Sequence, residues 1–455
     1  MRLLAALALT ILTALPARAE VDIQSVTSPG GITAWLVEDH SIPFVALEMR
    51  FRGGASLDAP GKRGAVTLMT GLLEEGAGDM DARAFSRETE GLATSFGFDS
   101  GDDSVSVSAR FLTETKDESV ALLKLALQEP RFDQAAIDRV RGQVLSIIES
   151  DKKDPNDIAS DTFAATVFGD QPYGSSINGT AESLLGLTRE DLIAAKDSVL
   201  ARDRVYIGAV GDITPEALGQ MLDDLLGGLP ETGAPLPERA TMDIPAGVKV
   251  VDFATPQSVA VFGQRGMKQQ DPDFFAATIL NQVLGGGSFE SRLMDEVREK
   301  RGLTYGVYSY LVPRDLAETY MGSVSSANDR IAEAIEVIRD QWRKAAEEGV
   351  TLRELEDAKT YLTGSYPLRF DGNGQIASIL VGMQMIGLPI DYVATRNDKV
   401  EAVTLDDVKR VAGELLDPDG LFFVVVGQPE GLETTAPEAV AAPEETSVPE
   451  DAAVE

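Results

Sequence analysis

The chain carries one histidine, His40, and no cysteine. Those two counts limit what its side chains can do. No site that needs two histidines can form within one chain, and thiol nucleophiles and thiolate metal sites are excluded. A Ser-His-Asp triad would have to use His40, which sits in VEDHSIPF, a polar turn just before a proline. No G-x-S-x-G stretch supplies the serine. His40 therefore reads as a loop residue. Asp99-Ser100-Gly101 has the D-[ST]-G form of an aspartic-protease half-site, but no second triplet exists. It reads as a turn, with Asp102 and Asp103 expected to stay solvated. Gly285-Gly286-Gly287 is not followed by G-K-[ST] and has no cation at hand, so it reads as a tight structural turn and not a phosphate loop.

The most informative spacing lies in GAVTLMTGLLEEGAG, residues 64–78. Ala65, Leu68, Met69, Leu72 and Leu73 recur at i, i+3, i+4, i+7 and i+8, the stripe of an amphipathic helix. Thr67, Thr70 and Gly71 share another face. Small and polar residues there would line a cleft or touch another backbone, and from the residues alone this is a core helix with a small-residue contact.

The elements that position these residues follow from a wider pass. The chain has 455 residues, 44% hydrophobic and 25% charged, enough for two or more domains. MRLLAALALTILTALPARAE has a positive start, an apolar run too short for an ordinary membrane span, and an A-x-A-like site ending at Ala19. Residues 1–19 are expected to be a secretory signal peptide cleaved after Ala19, giving an exported, soluble, periplasmic chain with no membrane span. An uncleaved anchor is the alternative. The net charge is −34, so a nucleic-acid partner is not expected. The acidity serves solubility.

The chain repeats itself. LTREDLIAAKDSVLARDRVYIGAVGD, from Leu187, matches VTLDDVKRVAGELLDPDGLFFVVVGQ, from Val403, without a gap. Each copy opens with a capping threonine and acids, continues as a helix, and ends in an apolar strand closed by glycine. GITAWLVEDHSIPFVALEMRFRGG and GVKVVDFATPQSVAVFGQRG each read as two strands around a turn, and each precedes an apolar helix. A duplicated α+β plan follows, with helices layered on a largely antiparallel sheet in each half. The expected boundaries are an N-terminal domain at 20–227, a Pro/Gly-rich linker at 228–247, a C-terminal domain at 248–428 and a disordered acidic tail at 429–455.

With these elements in place, the chain resembles the pitrilysin/insulinase-type (inverzincin) metallopeptidases, a family that includes the mitochondrial processing peptidase subunits and the core proteins of the cytochrome bc1 complex. The resemblance spans residues 21–427. It rests on GGASLDAPGKRGAVTLMTGLLEEGAG, on VFGDQPYGSSINGT and above all on LGGGSFESRLMDEVREKRGLTYGVYSYL. Active members carry H-x-x-E-H where this chain reads Thr67-Leu68-Met69-Thr70-Gly71, the histidines holding zinc and the Glu accepting a proton from the attacking water. The first His position is Thr67, the Glu is Thr70 and the second His is Gly71. The family's third ligand, a Glu, falls near Ile147; Glu149, the nearest acid, cannot hold zinc by itself.

The resemblance therefore implies a degenerate motif, no metal or other cofactor in this chain, and no catalysis by the chain alone. It also implies an Arg–Tyr pair, Arg298 and Tyr305, able to donate hydrogen bonds to a substrate carbonyl and its oxyanion. The expected function is the non-catalytic subunit of a heterodimeric zinc peptidase. A homologous partner would carry H-x-x-E-H and zinc, and both chains would form the peptide chamber. The alternative is a scaffold protein of the envelope, independent of proteolysis. A peptidase with a new site of its own is disfavoured by the single histidine and the lack of cysteine.

Overall fold

The computed structural model describes residues 22–287 and 290–437. The expected signal peptide, Ser288 and Phe289, and the tail beyond 437 lie outside the described residues.

The first half runs through β1 (Gln24–Thr27), β2 (Thr33–Glu38), β3 (Phe44–Arg52) and α1 (Ala65–Thr70). A small hairpin of β4 (Gly76–Ala77) and β5 (Met80–Asp81) follows, then α2 (Ala82–Gly91), β6 (Ser95–Ser100) and β7 (Ser104–Leu112). Five helices come next: α3 (Lys116–Gln128), α4 (Gln134–Asp151), α5 (Pro155–Phe168), α6 (Ala181–Leu185) and α7 (Arg189–Val199). β8 (Val205–Gly211) and α8 (Pro215–Leu226) close the half. The second half has β9 (Gly247–Asp252), β10 (Gln257–Arg265), α9 (Phe274–Leu284), a π-helical turn at Met294–Glu299, β11 (Thr304–Pro313) and β12 (Glu318–Ala327). It ends with α10 (Ile331–Glu348), α11 (Leu352–Ser365), α12 (Asn373–Met385), α13 (Tyr392–Ala402), α14 (Leu405–Leu415) and β13 (Phe422–Gly427).

The duplication is visible in the sheets. The first has the order β1-β2-β8-β3-β7-β6 and the second β9-β13-β10-β12-β11. Each is antiparallel but for one parallel pair, β2 with β8 and β9 with β13. The repeated segments supply α7 and α14, each begun by a reciprocal capping box, Thr188 with Asp191 and Thr404 with Asp407. They end in β8 and β13. The paired strands read from the sequence do form, but not as hairpins: β8 separates β2 from β3, and β13 separates β9 from β10. The physical reason lies in composition. FFVVVG is buried at every position and VYIGAVG over its last five, so both strands need neighbours on each side and cover on both faces.

One face of each sheet packs on its own half's helices. Val45, Leu47, Met49 and Phe51 alternate along β3 into a core shared with α1, α3, α4, α7 and α8. Phe262, Tyr320 and Phe423 enter a matching core under α9, α10 and α14, built around Trp342. The other faces are covered by exchange. Helix α5, from the first half, places Phe163, Val167 and Phe168 against Val259 and Val261 of β10 and Phe422 and Val424 of β13. Burying each of those phenylalanines contributes roughly 1.5–3 kcal/mol. Helix α12, from the second half, lays Ala377 and Leu380 on Val210 of β8. A side chain at Gly208 would run into the Ala377 carbonyl, so that approach depends on glycine.

The segment between the halves is bonded to both. Asp243 N donates to Val167 O at 3.0 Å and Ala240 N to Leu316 O at 2.9 Å. Residues 429–437, the start of the expected acidic tail, run beside β9. Thr435 N donates to Val248 O at 2.8 Å, and the hydroxyls of Thr435 and Thr434 accept from Val248 N and Val250 N at 3.0 Å each.

Candidate functional site

Helix α1 is started by Asp58, whose carboxylate accepts from Gly64 N at 2.9 Å and Val66 N at 2.8 Å, the orphan donors of a helix N-terminus. Gly64 itself has φ +94°, a conformation that excludes most side chains. Burial pushes the Asp58 carboxyl above its ordinary value, against those two N–H bonds and Arg63. Arg63 ties two of the sequence's distinctive segments together. Its guanidinium donates to Ala55 O at 2.5 Å, Pro172 O at 2.9 Å, Ser175 O at 2.9 Å and Ser176 O at 3.0 Å. GGASLDAPGKRGAV and VFGDQPYGSS are thus two sides of one joint.

The three motif positions lie at the end of this short helix. Thr67 Oγ1 donates to Ile177 O at 2.8 Å and accepts from Ser100 Oγ at 3.2 Å. Thr70, 2% exposed, turns its hydroxyl back to Val66 O at 2.8 Å. Gly71 is exposed and caps the helix. The helix is therefore shorter than the apolar stripe suggests: Leu72 and Leu73 are buried but belong to the turns after Gly71. Thr70 is also not a cleft residue, because its side chain bonds within α1 and is sealed from solvent. On α4 the inward face is Val140, Val144 and Ile148, whereas Ile147 is 48% exposed. Glu149 is exposed and bonds Lys152 at 2.6 Å. Among the described residues no group of three or more His, Cys, Asp or Glu is placed to hold a metal ion. Two hydroxyls already spent on hydrogen bonds and a glycine do not fit zinc.

Arg298 and Tyr305 lie on one continuous segment. Arg298 is in the π-helical turn, where Val297 and the preceding Leu293 are fully buried, and its guanidinium is 3.6 Å from Glu299. The chain reverses at Gly302, φ +59°, whose N–H bonds Arg298 O at 2.8 Å. It then enters β11, the edge strand, where Tyr305 is 87% exposed. A bulge decides which way Tyr305 faces. Thr304 pairs with Ser326 and Val307 with Val324, so one extra residue stands opposite Ser325. Thr304, Val307, Val324 and Ser326 are all buried on the helix-covered side. The extra residue lets Tyr305, Tyr308 and Tyr310 share the opposite face, although the first two are an odd number of residues apart.

Asp102 and Asp103 are not solvated, contrary to the sequence expectation. They meet the turn after β11 across the seam between the halves. Asp102 is 3.4 Å from Arg63 and 3.3 Å from Arg314. Asp103 accepts from Tyr173 OH at 2.5 Å and from Asp315 N at 3.1 Å, and Tyr173 OH accepts from Leu316 N at 2.9 Å. Burial pushes the Asp102 carboxyl up, while Arg314 and Arg63 pull it down. In sequence, DSGDDS looks like any exposed turn. The one available signal was Tyr173, an aromatic set within a polar loop.

The comparisons agree with this geometry. A family model described as Insulinase (Peptidase family M16) matches residues 34–181, and one described as Peptidase M16 inactive domain matches residues 186–362. The chain belongs to the M16 family of peptidases and their inactive homologues. It is 27% identical to the non-peptidase homolog YmxG of Helicobacter pylori over 391 residues, covering 86% of this chain and 90% of that one. It is 23% identical to the mitochondrial-processing peptidase subunit beta of Neurospora crassa, covering 71% of each. A crystal structure of a peptidase M16 inactive domain from Pseudomonas fluorescens superposes with a TM-score of 0.84 at 28% identity, covering 90% of this chain and 98% of that one. The chain thus has the helix-covered, two-sheet fold of that family.

Proposed function

We propose that this chain is the non-catalytic subunit of a heterodimeric periplasmic zinc peptidase. The observation that carries the proposal is a contrast. Tyr305 stands 87% exposed on an edge strand, next in the chain to the turn that holds Arg298, while Thr67 and Thr70 have their hydroxyls committed to backbone carbonyls. A homologous partner bearing H-x-x-E-H would supply zinc and its activated water. Arg298 and Tyr305 would bind the peptide: the guanidinium and phenol donate to its carbonyl oxygen and to the charge that grows there, an interaction stronger in the transition state than before it.

The test is recovery of the tagged mature chain from its native envelope extract, with mass spectrometry of what accompanies it. A stoichiometric H-x-x-E-H homologue supports the proposal. Recovery alone, or with unrelated envelope proteins, replaces it with the scaffold alternative.

A further inference from the structure

We infer that the cavity under Tyr310, between α5 and the second sheet, is a pocket for one bulky apolar or aromatic side chain of an extended peptide lying along β11. The inference rests on the peptide-binding proposal for Tyr305 and adds a specificity to it. The cavity is about 190 Å³, with Phe163, Val261, Met321 and the Tyr310 ring among its walls and Ala164 and Ala317 at its sides. An apolar cavity of roughly 150 Å³ accommodates a benzene ring, so this one fits a single large side chain. Two of its walls need a glycine behind them: a Cβ on Gly263 would meet the Phe163 ring and the Met321 sulfur.

The charge at the rim decides the kind of occupant. Arg314 borders the cavity, but its guanidinium is 3.3 Å from Asp102 and stacks 5.0 Å from the centre of the Tyr173 ring. A carboxylate would have to compete with Asp102 for that cation. A neutral apolar group need not, and it gains by leaving water.

Register gives the position. Tyr305, Tyr308 and Tyr310 share one face, 87%, 43% and 46% exposed, on a strand that among the described residues has no neighbour strand on its outer side. Exposed aromatic rows of this kind mark binding surfaces. With the bulge absorbing one residue, Tyr310 lies about four strand steps, roughly 13 Å, from Tyr305. In an extended peptide, residues i and i+4 face the same way. The pocket therefore receives the side chain four residues from the one whose carbonyl meets Tyr305.

The test uses the full mature chain and fluorescein-labelled Gly/Ser peptides of about twelve residues, each with one Phe moved stepwise along it. Anisotropy should show one register binding about tenfold tighter than the peptide without Phe. Ala164→Leu, which fills the cavity, should abolish that gain and leave the plain peptide unchanged; Tyr310→Ser, which removes a wall, should also abolish the gain. Tyr305→Ala should weaken every peptide. If all registers bind alike, or the gain survives both pocket variants, the pocket is wrong while the proposal for Tyr305 stands. If Tyr305→Ala changes nothing, or no peptide binds, the proposal beneath it falls as well.

Discussion

The guanidinium of Arg314 lies 3.3 Å from the carboxylate of Asp102. That contact joins the turn after β11 to the turn after β6, and β11 and β6 are the corresponding edge strands of the two duplicated sheets. The same turn of the first half continues into Asp103, which Tyr173 holds at 2.5 Å. Replacing Tyr173 with Phe removes the donor to Asp103 and the acceptor for Leu316 N. The ring itself is 2% exposed and would keep its packing. We expect a loss of about 1–3 kcal/mol, read as a fall in melting temperature of several degrees. An unchanged melting temperature would show that the seam is not stabilised by these bonds.

The resemblance in sequence puts Thr70 where active members carry their catalytic glutamate, and the surroundings of Thr70 are those of a core residue. Thr70→Ser should cost under about 1 kcal/mol and Thr70→Val about 1 kcal/mol. Thr70→Glu buries an unpaired carboxylate and should cost several kcal/mol or raise that carboxyl's pKa strongly. Chemical denaturation of the three variants tests the order. Tolerance of Thr70→Glu would mean that the position opens to solvent.

Tyr305 and Arg298 provide a functional contrast. Removal of one oxyanion donor commonly costs about 10²–10³ in kcat. Tyr305→Phe in a reconstituted two-chain enzyme should lower kcat by a factor of that order, and Arg298→Ala likewise. Because Tyr305 is 87% exposed, its variant should melt where the parent does. Full activity with either variant sinks the assignment.

Glu354 makes stability depend on acid pH. Its burial would raise the pKa, but the hydrogen bonds from Arg292, at 2.7 and 2.8 Å, and from Thr351 N win and bring it down to about 2. A folded pKa below the unfolded value of roughly 4.3 stabilises the fold above that value, and the gain is lost as pH falls toward 2. The pair is partly exposed, so solvent screening holds the contribution to about 1–2 kcal/mol, below the roughly 3 kcal/mol of the full shift. Arg292→Ala should lower stability at neutral pH and flatten its decline between about pH 4.3 and 2. A parallel acid profile for parent and variant would remove Glu354 from the account.

How much of this was legible in the sequence depends on what kind of contact carried it. Local chemistry was readable: Thr188 with Asp191 and Thr404 with Asp407 announce their capping boxes three residues apart. The apolar runs at β8 and β13 were readable as strands, but not as the strands that part β2 from β3 and β9 from β10. That insertion is a long-range choice, set by which strand needs cover on both faces. The opening helix was read too long, because Leu72 and Leu73 keep the stripe while Gly71 ends the helix. Asp102 and Asp103 were misjudged because all their partners are distant in sequence: Arg63 and Tyr173 elsewhere in the first half, Arg314 and Asp315 in the other. The exchange of helices left one trace: apolar residues are spread around α5 and α12 without a single stripe, as expected of helices enclosed by more than one layer.

That exchange has a consequence for how the polypeptide is made. The first half finishes its sheet at β8, but the cover for its outer face is α12, which is synthesised only after most of the second half. Until then a growing chain presents Val210 and its neighbours uncovered. Meanwhile α5 exposes Phe163 and Phe168 while waiting for a sheet not yet formed. Neither half is a unit that can be cut out and kept. Severing the chain in the segment between the sheets should give two fragments that aggregate apart and recover structure when mixed, because each holds the piece that completes the other.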